Sequence, residues 1–154
     1  MKNQNELRAL TLWRPWPHAI FYGGKRIENR PWKPWKRIVG QYIALHAGLK
    51  YDSKGAAWMR EMELYDPPED EWCPRGCIVG VARVTGYIND DEELYFNRSG
   101  DQSSWYMGPY GWVLKDVVAF QEPVKATGKM GLWLVDGALK EAVIKAYEAV
   151  LTDA

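Results

Sequence analysis

Cysteine is scarce in this sequence, long apolar runs are missing, and neither sign of charge prevails. The two cysteines, Cys73 and Cys77, sit in an acidic loop with no apolar leader ahead of them, which points to a reducing, cytoplasmic setting rather than a disulfide-stapled secreted fold. No apolar run approaches the roughly 18 residues a membrane span requires, so no membrane partner is expected. Histidine occurs twice, as His18 and His46. The pair lacks the spacing of a zinc site, and although Cys73 and Cys77 fall within the loose ligand range, neither a metal nor another cofactor is expected. A glycine-rich phosphate loop is absent, as is any Ser-His-Asp order, so those two hydrolase signatures are excluded. The 20 Lys and Arg balance 20 Asp and Glu, which argues against coating a long duplex through uniform positive charge.

What is present describes one folded domain over residues 1–154. With 47% hydrophobic and 26% charged residues, a chain of this length buries roughly 70% of its unfolded surface and needs no staple. The neutral total hides an asymmetry. Residues 1–50 carry ten Lys and Arg against only Glu6 and Glu28, a net +8, and the remainder carries −8. The acids gather mainly in segments 61–71 and 90–93. Four of the nine tryptophans, Trp13, Trp16, Trp32 and Trp35, fall in the basic third. Cations mixed with flat aromatic surface are what binders of single-stranded nucleic acid use.

Periodicity predicts strands over Leu7–Trp13, Lys25–Trp32, Gly40–Ala47, Cys77–Ile88, Gly111–Phe120 and Lys129–Val135. A turn is expected at Glu122-Pro123, and Gly80 marks a bulge or a close backbone approach. Helices are expected after Pro15 and Pro17, closed by Gly23-Gly24; over Ser53–Tyr65, capped by Asp52 or Ser53; and over Ala138–Leu151. Segment 66–75 reads as an acidic, proline-rich surface loop, and 89–108 carries no clear periodicity. No βαβ regularity or repeat is visible, so the expected class is α+β with a small barrel at its centre.

Leu12-Trp13-Arg14-Pro15-Trp16, then Gly24 to Arg30, Ile43 to Ala47, Gly80-Val81-Ala82, Tyr110 to Leu114 and Gly131-Leu132-Trp133 together resemble the ASCH (activating signal cointegrator homology) family of the PUA-like superfamily. The resemblance spans about residues 7–136, with 137–154 left as a C-terminal helix. It implies a β-barrel of five to six strands flanked by two or three helices. Beside the barrel lies a cleft lined by the loop after the first strand, the Lys-x-x-Glu-x-Arg strand and the start of the strand at Tyr110. Members of that family are linked to RNA metabolism; a few are ribonucleases, and one branch hydrolyses N4-acetylcytidine. In that branch Lys25 matches the catalytic lysine, but the nucleophilic threonine is replaced by Glu28, which cannot serve the same acyl transfer. Its remaining carboxylate is undecided among Asp90, Asp91, Glu92 and Glu93.

The expected function is therefore nucleic-acid binding, to RNA or a single strand, with a modified base as a variant. Strand alternation places Glu28 and Arg30 on one face, with Lys25 opposite unless the strand is bulged or starts after it. A carboxylate held between cations stays ionised and accepts hydrogen bonds from a base; the same spacing also describes a solvated strand edge. Arg14 and Trp16 are expected to close one side of the cleft, Trp16 stacking on a base and Trp13 belonging to the core. Lys25, Arg26 and Arg30, and the turn carrying Trp32, Lys33, Lys36 and Arg37, offer phosphate contacts or a merely solvated basic surface. Tyr110 and Trp112 flank a glycine where backbone can approach a ligand. The alternative is a ribonuclease or nucleobase-processing hydrolase with Lys25, Glu28 and His46 as its catalytic groups; a lone histidine such as His46 after an apolar strand is more often structural than catalytic, and His18 reads as structural.

Overall fold

The computed structural model describes residues 1, 3–91 and 100–153. Its strands are β1 (Leu7–Arg14), β2 (Ile27–Arg30), β3 (Tyr42–Tyr51), β4 (Cys77–Asn89), β5 (Tyr110–Lys125) and β6 (Leu132–Val135). Three described α-helices accompany them: α1 (Trp16–Tyr22), α2 (Ser53–Glu61) and α3 (Gly137–Thr152). The strands form one sheet in the order β2-β5-β4-β3-β1-β6. All neighbours are antiparallel except β1 and β3, whose parallel register pairs Leu10 with Leu45 and Thr11 with His46. The class is α+β as expected, but the sheet does not close: β2 and β6 end it.

Alternation along β1 sends Leu7 and Ala9 to one side, where Phe120, Trp133 and Val143 of α3 complete a core. Leu10 and Leu12 go to the other side, with Ile20, Leu45, Trp112 and Leu114. A third cluster joins Ala19, Ile27, Met59 and Trp105, tying α1, β2 and α2 together. Asp52 caps α2 by accepting from the Gly55 amide at 2.8 Å. Gly80 meets both of its expectations. The β4–β5 register shifts beside it, and a Cβ there would clash with the Val118 carbonyl oxygen.

Two sequence expectations fail for identifiable reasons. The turn at Glu122-Pro123 does not exist, because β5 runs through to Lys125 and still pairs with β4 there. β2 covers only residues 110–113 of β5, so Pro123 lies where one edge of the strand has no neighbour, a position that tolerates proline. The charged strand is shorter than Lys25–Trp32 and begins at Ile27, since Gly24 adopts a left-handed conformation (φ 74°) before it. That late start brings Lys25 to Glu28.

Candidate functional site

At the end of β1, where it meets β2 and α2, lies an open cavity of about 300 Å³. Its walls are built from Trp13 and Trp16 on one side and Lys25, Glu28 and Arg30 on the other, with Asp52 and Met107 at its margin. Four residues expected in the cleft, Trp16, Lys25, Glu28 and Arg30, therefore converge. The volume is at the lower end for small-molecule sites, the size of one base rather than a groove.

Lys25 is the unusual member. Its side chain is 2% exposed, and Nζ donates to the Ile27 carbonyl and to Glu28 Oε1 at 3.4 Å. It also lies 5.4 Å from the Trp16 ring centroid. Burial pushes the Lys25 pKa down, and the Glu28 carboxylate opposes that shift. Glu28 Oε2 lies 3.9 Å from Arg30. The carboxylate thus sits between a buried ammonium and a partly exposed guanidinium, with its remaining acceptor capacity facing the cavity.

Trp16 is anchored from behind: its Nε1 donates to Asp52 Oδ2 at 2.9 Å, and Asp52 is the same residue that caps α2. Asn29 holds the opposite rim. Its side chain donates to the Trp105 carbonyl and accepts from the amides of Met107 and Gly108. Sequence reasoning missed Asn29, Asp52 and Met107. The Asp52 cap was visible in the sequence, but its second bond, to Trp16, depends on the starts of α1 and α2 meeting in space.

Trp13 and Arg14 exchange their expected roles. Trp13 is 53% exposed, with the Lys50 ammonium 5.0 Å from its ring centroid, whereas Arg14 is 2% exposed. Alternation continues from Leu10 and Leu12 to Arg14, which buries Arg14, and leaves Trp13 exposed on the opposite parity near the strand's end. The Arg14 guanidinium donates to the carbonyls of Gly48, Leu49 and Asp70 and pairs with the Asp70 carboxylate at 2.6 Å. It clamps the ends of β1 and β3 and has no place in the cleft wall.

Other expected site residues also lie elsewhere. Arg26 gives its guanidinium to the carbonyls of Ile20 and Lys25. His46 is 1% exposed on the α3 side of the sheet, where Nε2 donates to the Ala126 carbonyl at 2.7 Å and the ring meets Trp133 edge-on. It does not line the cavity that holds Lys25. Trp112 is buried, its Nε1 donating to the Trp32 carbonyl; Tyr110 stacks edge-to-face on Tyr87 outside the cavity. Trp32, Lys33, Lys36 and Arg37 are all exposed on the connection between β2 and β3. Asp90 accepts from the Tyr106 hydroxyl at 2.6 Å, while Glu92 and Glu93 lie outside the described residues.

Solved structures share this fold. An ASCH protein from Zymomonas mobilis superposes with a TM-score of 0.55 at 14% identity, covering 92% of this chain and 96% of that one. Two point-variant structures of the Zymomonas mobilis ASCH protein give TM-scores of 0.54 and 0.55, each at 14% identity; they cover 91% and 92% of this chain and 95% and 98% of theirs. The chain is an ASCH-like domain in fold. Neither a protein-family model nor a curated protein sequence matches it. Among the described residues, no helix is long and apolar enough to cross a membrane.

Proposed function

We propose that this ASCH-like domain binds nucleic acid, RNA or a single strand, by taking one base into the cavity between Trp13 and Glu28. The convergence of two tryptophan rings with a Lys25–Glu28–Arg30 charge group on a cavity of about 300 Å³ carries the proposal. Glu28 accepts from an amino or imino group of the base edge, and Arg30 orients Glu28 and reaches for a phosphate. Trp13 takes the stacking role, because its ring is the more exposed of the two, with the Lys50 ammonium over it, while the less exposed Trp16 ring has the buried Lys25 over it. Lys50 beside Trp13, with exposed Lys33, Lys36 and Arg37, supplies charge for the backbone. A modified base fits the same chemistry.

An oligoribonucleotide titrated at increasing salt tests this. With about three to five phosphates neutralised on a single strand, log affinity falls against log salt with a slope of roughly −2 to −4. Trp13→Ala weakens binding about 5- to 150-fold, the range of one lost stacking partner. Salt-independent binding, or full affinity in the variant, would refute the model.

One observation favours a second, hydrolytic reading of the same cavity: a buried lysine beside a carboxylate, its pKa lowered by desolvation, is a group suited to exchanging a proton. Cleavage of labelled RNA that is abolished in Lys25→Ala and retained in His46→Ala supports it. Cleavage retained in both variants rejects it.

A further inference from the structure

Arg30 lines a second cavity as well. On its other side, about 460 Å³ of open space is bounded by Pro31, Trp32, Trp35, Trp112 and Leu132. Trp112 and Leu132 are buried and belong to the core, so they make a floor. Trp32 and Trp35 are 62% and 40% exposed, and make walls. Neither exposed ring is needed by the core: Trp32 contributes only its carbonyl, as acceptor for the Trp112 indole. The cavity is lined by aromatic rings and the Arg30 guanidinium, with further cations packed on its Trp35 wall. The guanidiniums of Arg8 and Arg37 lie 5.4 and 4.7 Å from the Trp35 ring centroid, both sharing Glu6 as a counter-ion. Lys33 is exposed one residue beyond Trp32. Flat π surface edged by positive charge complements a base on a phosphate chain, whereas an apolar peptide or a lipid tail has no use for the charge.

We propose that the Trp32–Trp35 cavity is the subsite for the nucleotide adjacent to the one held over Glu28, with Arg30 contacting the phosphodiester between them. The inference rests on the base-binding reading above and deepens it: the recognised unit is a dinucleotide step rather than a lone base. Arg30 suits the bridging position because it lines both cavities, is partly exposed, and lies 3.9 Å from Glu28. A guanidinium presents donors in several directions, so one edge can face the carboxylate and another the phosphate.

The test compares ribonucleoside monophosphates with ribodinucleotides of all sequences, by NMR titration of the native protein, Trp13→Ala and Trp32→Ala. Both variants remove an exposed ring, and thermal melts confirm that the fold is kept. In the native protein the dinucleotide binds more tightly than either monophosphate. Trp32→Ala lowers dinucleotide affinity about 5- to 150-fold and leaves monophosphate affinity unchanged, whereas Trp13→Ala weakens both. If Trp32→Ala leaves the dinucleotide unaffected, or weakens both ligands equally, the second subsite is overturned while base binding at Trp13 stands. If neither ligand binds, or Trp13→Ala changes nothing, base binding fails and the subsite with it.

Discussion

Replacing Glu28 with glutamine exposes the energetics of the site most directly. The change removes the only carboxylate paired with Lys25 and leaves an ammonium in a position 2% exposed. At the observed 3.4 Å separation, the Coulomb attraction at an effective dielectric constant of 20 is about 5 kcal/mol. Breaking a buried pair by removing one partner typically costs about 3–5 kcal/mol. For a domain of this length that lowers the melting temperature by about 6–20 °C. The pH dependence carries the sharper signature. Because burial holds the folded pKa of Lys25 below its unfolded value near about 10.4, the unfolded chain binds the extra proton and stability rises with pH up to that value. Glu28 opposes the shift, so its removal extends the window downward. The deficit of Glu28→Gln is therefore largest at neutral pH and shrinks as pH approaches about 10. Denaturant titrations followed by tryptophan fluorescence at several pH values read this out, and Lys25→Met in the Glu28→Gln background restores most of the loss. A variant melting within about 2 °C of the native protein, a deficit that grows with pH, or a double variant no better than the single one would refute the reasoning.

Other perturbations separate architecture from site. Arg14→Lys replaces a fork that satisfies three carbonyls with a single ammonium, and is expected to lose about 2–4 kcal/mol in urea denaturation; a change below about 1 kcal/mol would contradict the clamp. Gly80→Ala puts a methyl against the Val118 carbonyl and the Phe21 ring, at a cost of about 1–3 kcal/mol visible as a lowered melting temperature, and unchanged melting would show that the two strands separate easily. Burial raises the pKa of both Cys73 and Cys77, so a thiol-disulfide reagent at about pH 8 labels them only as fast as the protein opens; labelling at the rate of a free thiol would place them at the surface.

Much of the fold was legible because it depends on local patterns. The alternation in β1, the proline start of α1 and the Asp52 cap each rest on neighbours within a few residues. Spacing put Glu28 and Arg30 on one face and left Lys25 opposite unless the strand was bulged or began after it; the strand begins at Ile27, and the grouping of all three came from the family resemblance. The errors arose where a single residue of register mattered. Trp13 and Arg14 look like a core residue followed by a cleft residue, yet Arg14 keeps the buried parity of Leu10 and Leu12 and Trp13 falls on the other. Pro123 looks like a turn until the short reach of β2 leaves its edge of β5 free.

By itself the sequence determined the class of the fold, the basic, tryptophan-rich first third and the placement of Glu28 and Arg30 on one face of a strand. These follow from composition and from periodicities of two and 3.6 residues, which act over short distances along the chain. Tertiary structure alone decided which cations are free. Arg14, Arg26 and Arg30 are alike in sequence, yet two spend their donors on backbone carbonyls and the third lies between two cavities. A guanidinium is taken out of water only where acceptors already wait for it, and those acceptors, Gly48, Leu49, Asp70 and Ile20, are delivered by other parts of the fold.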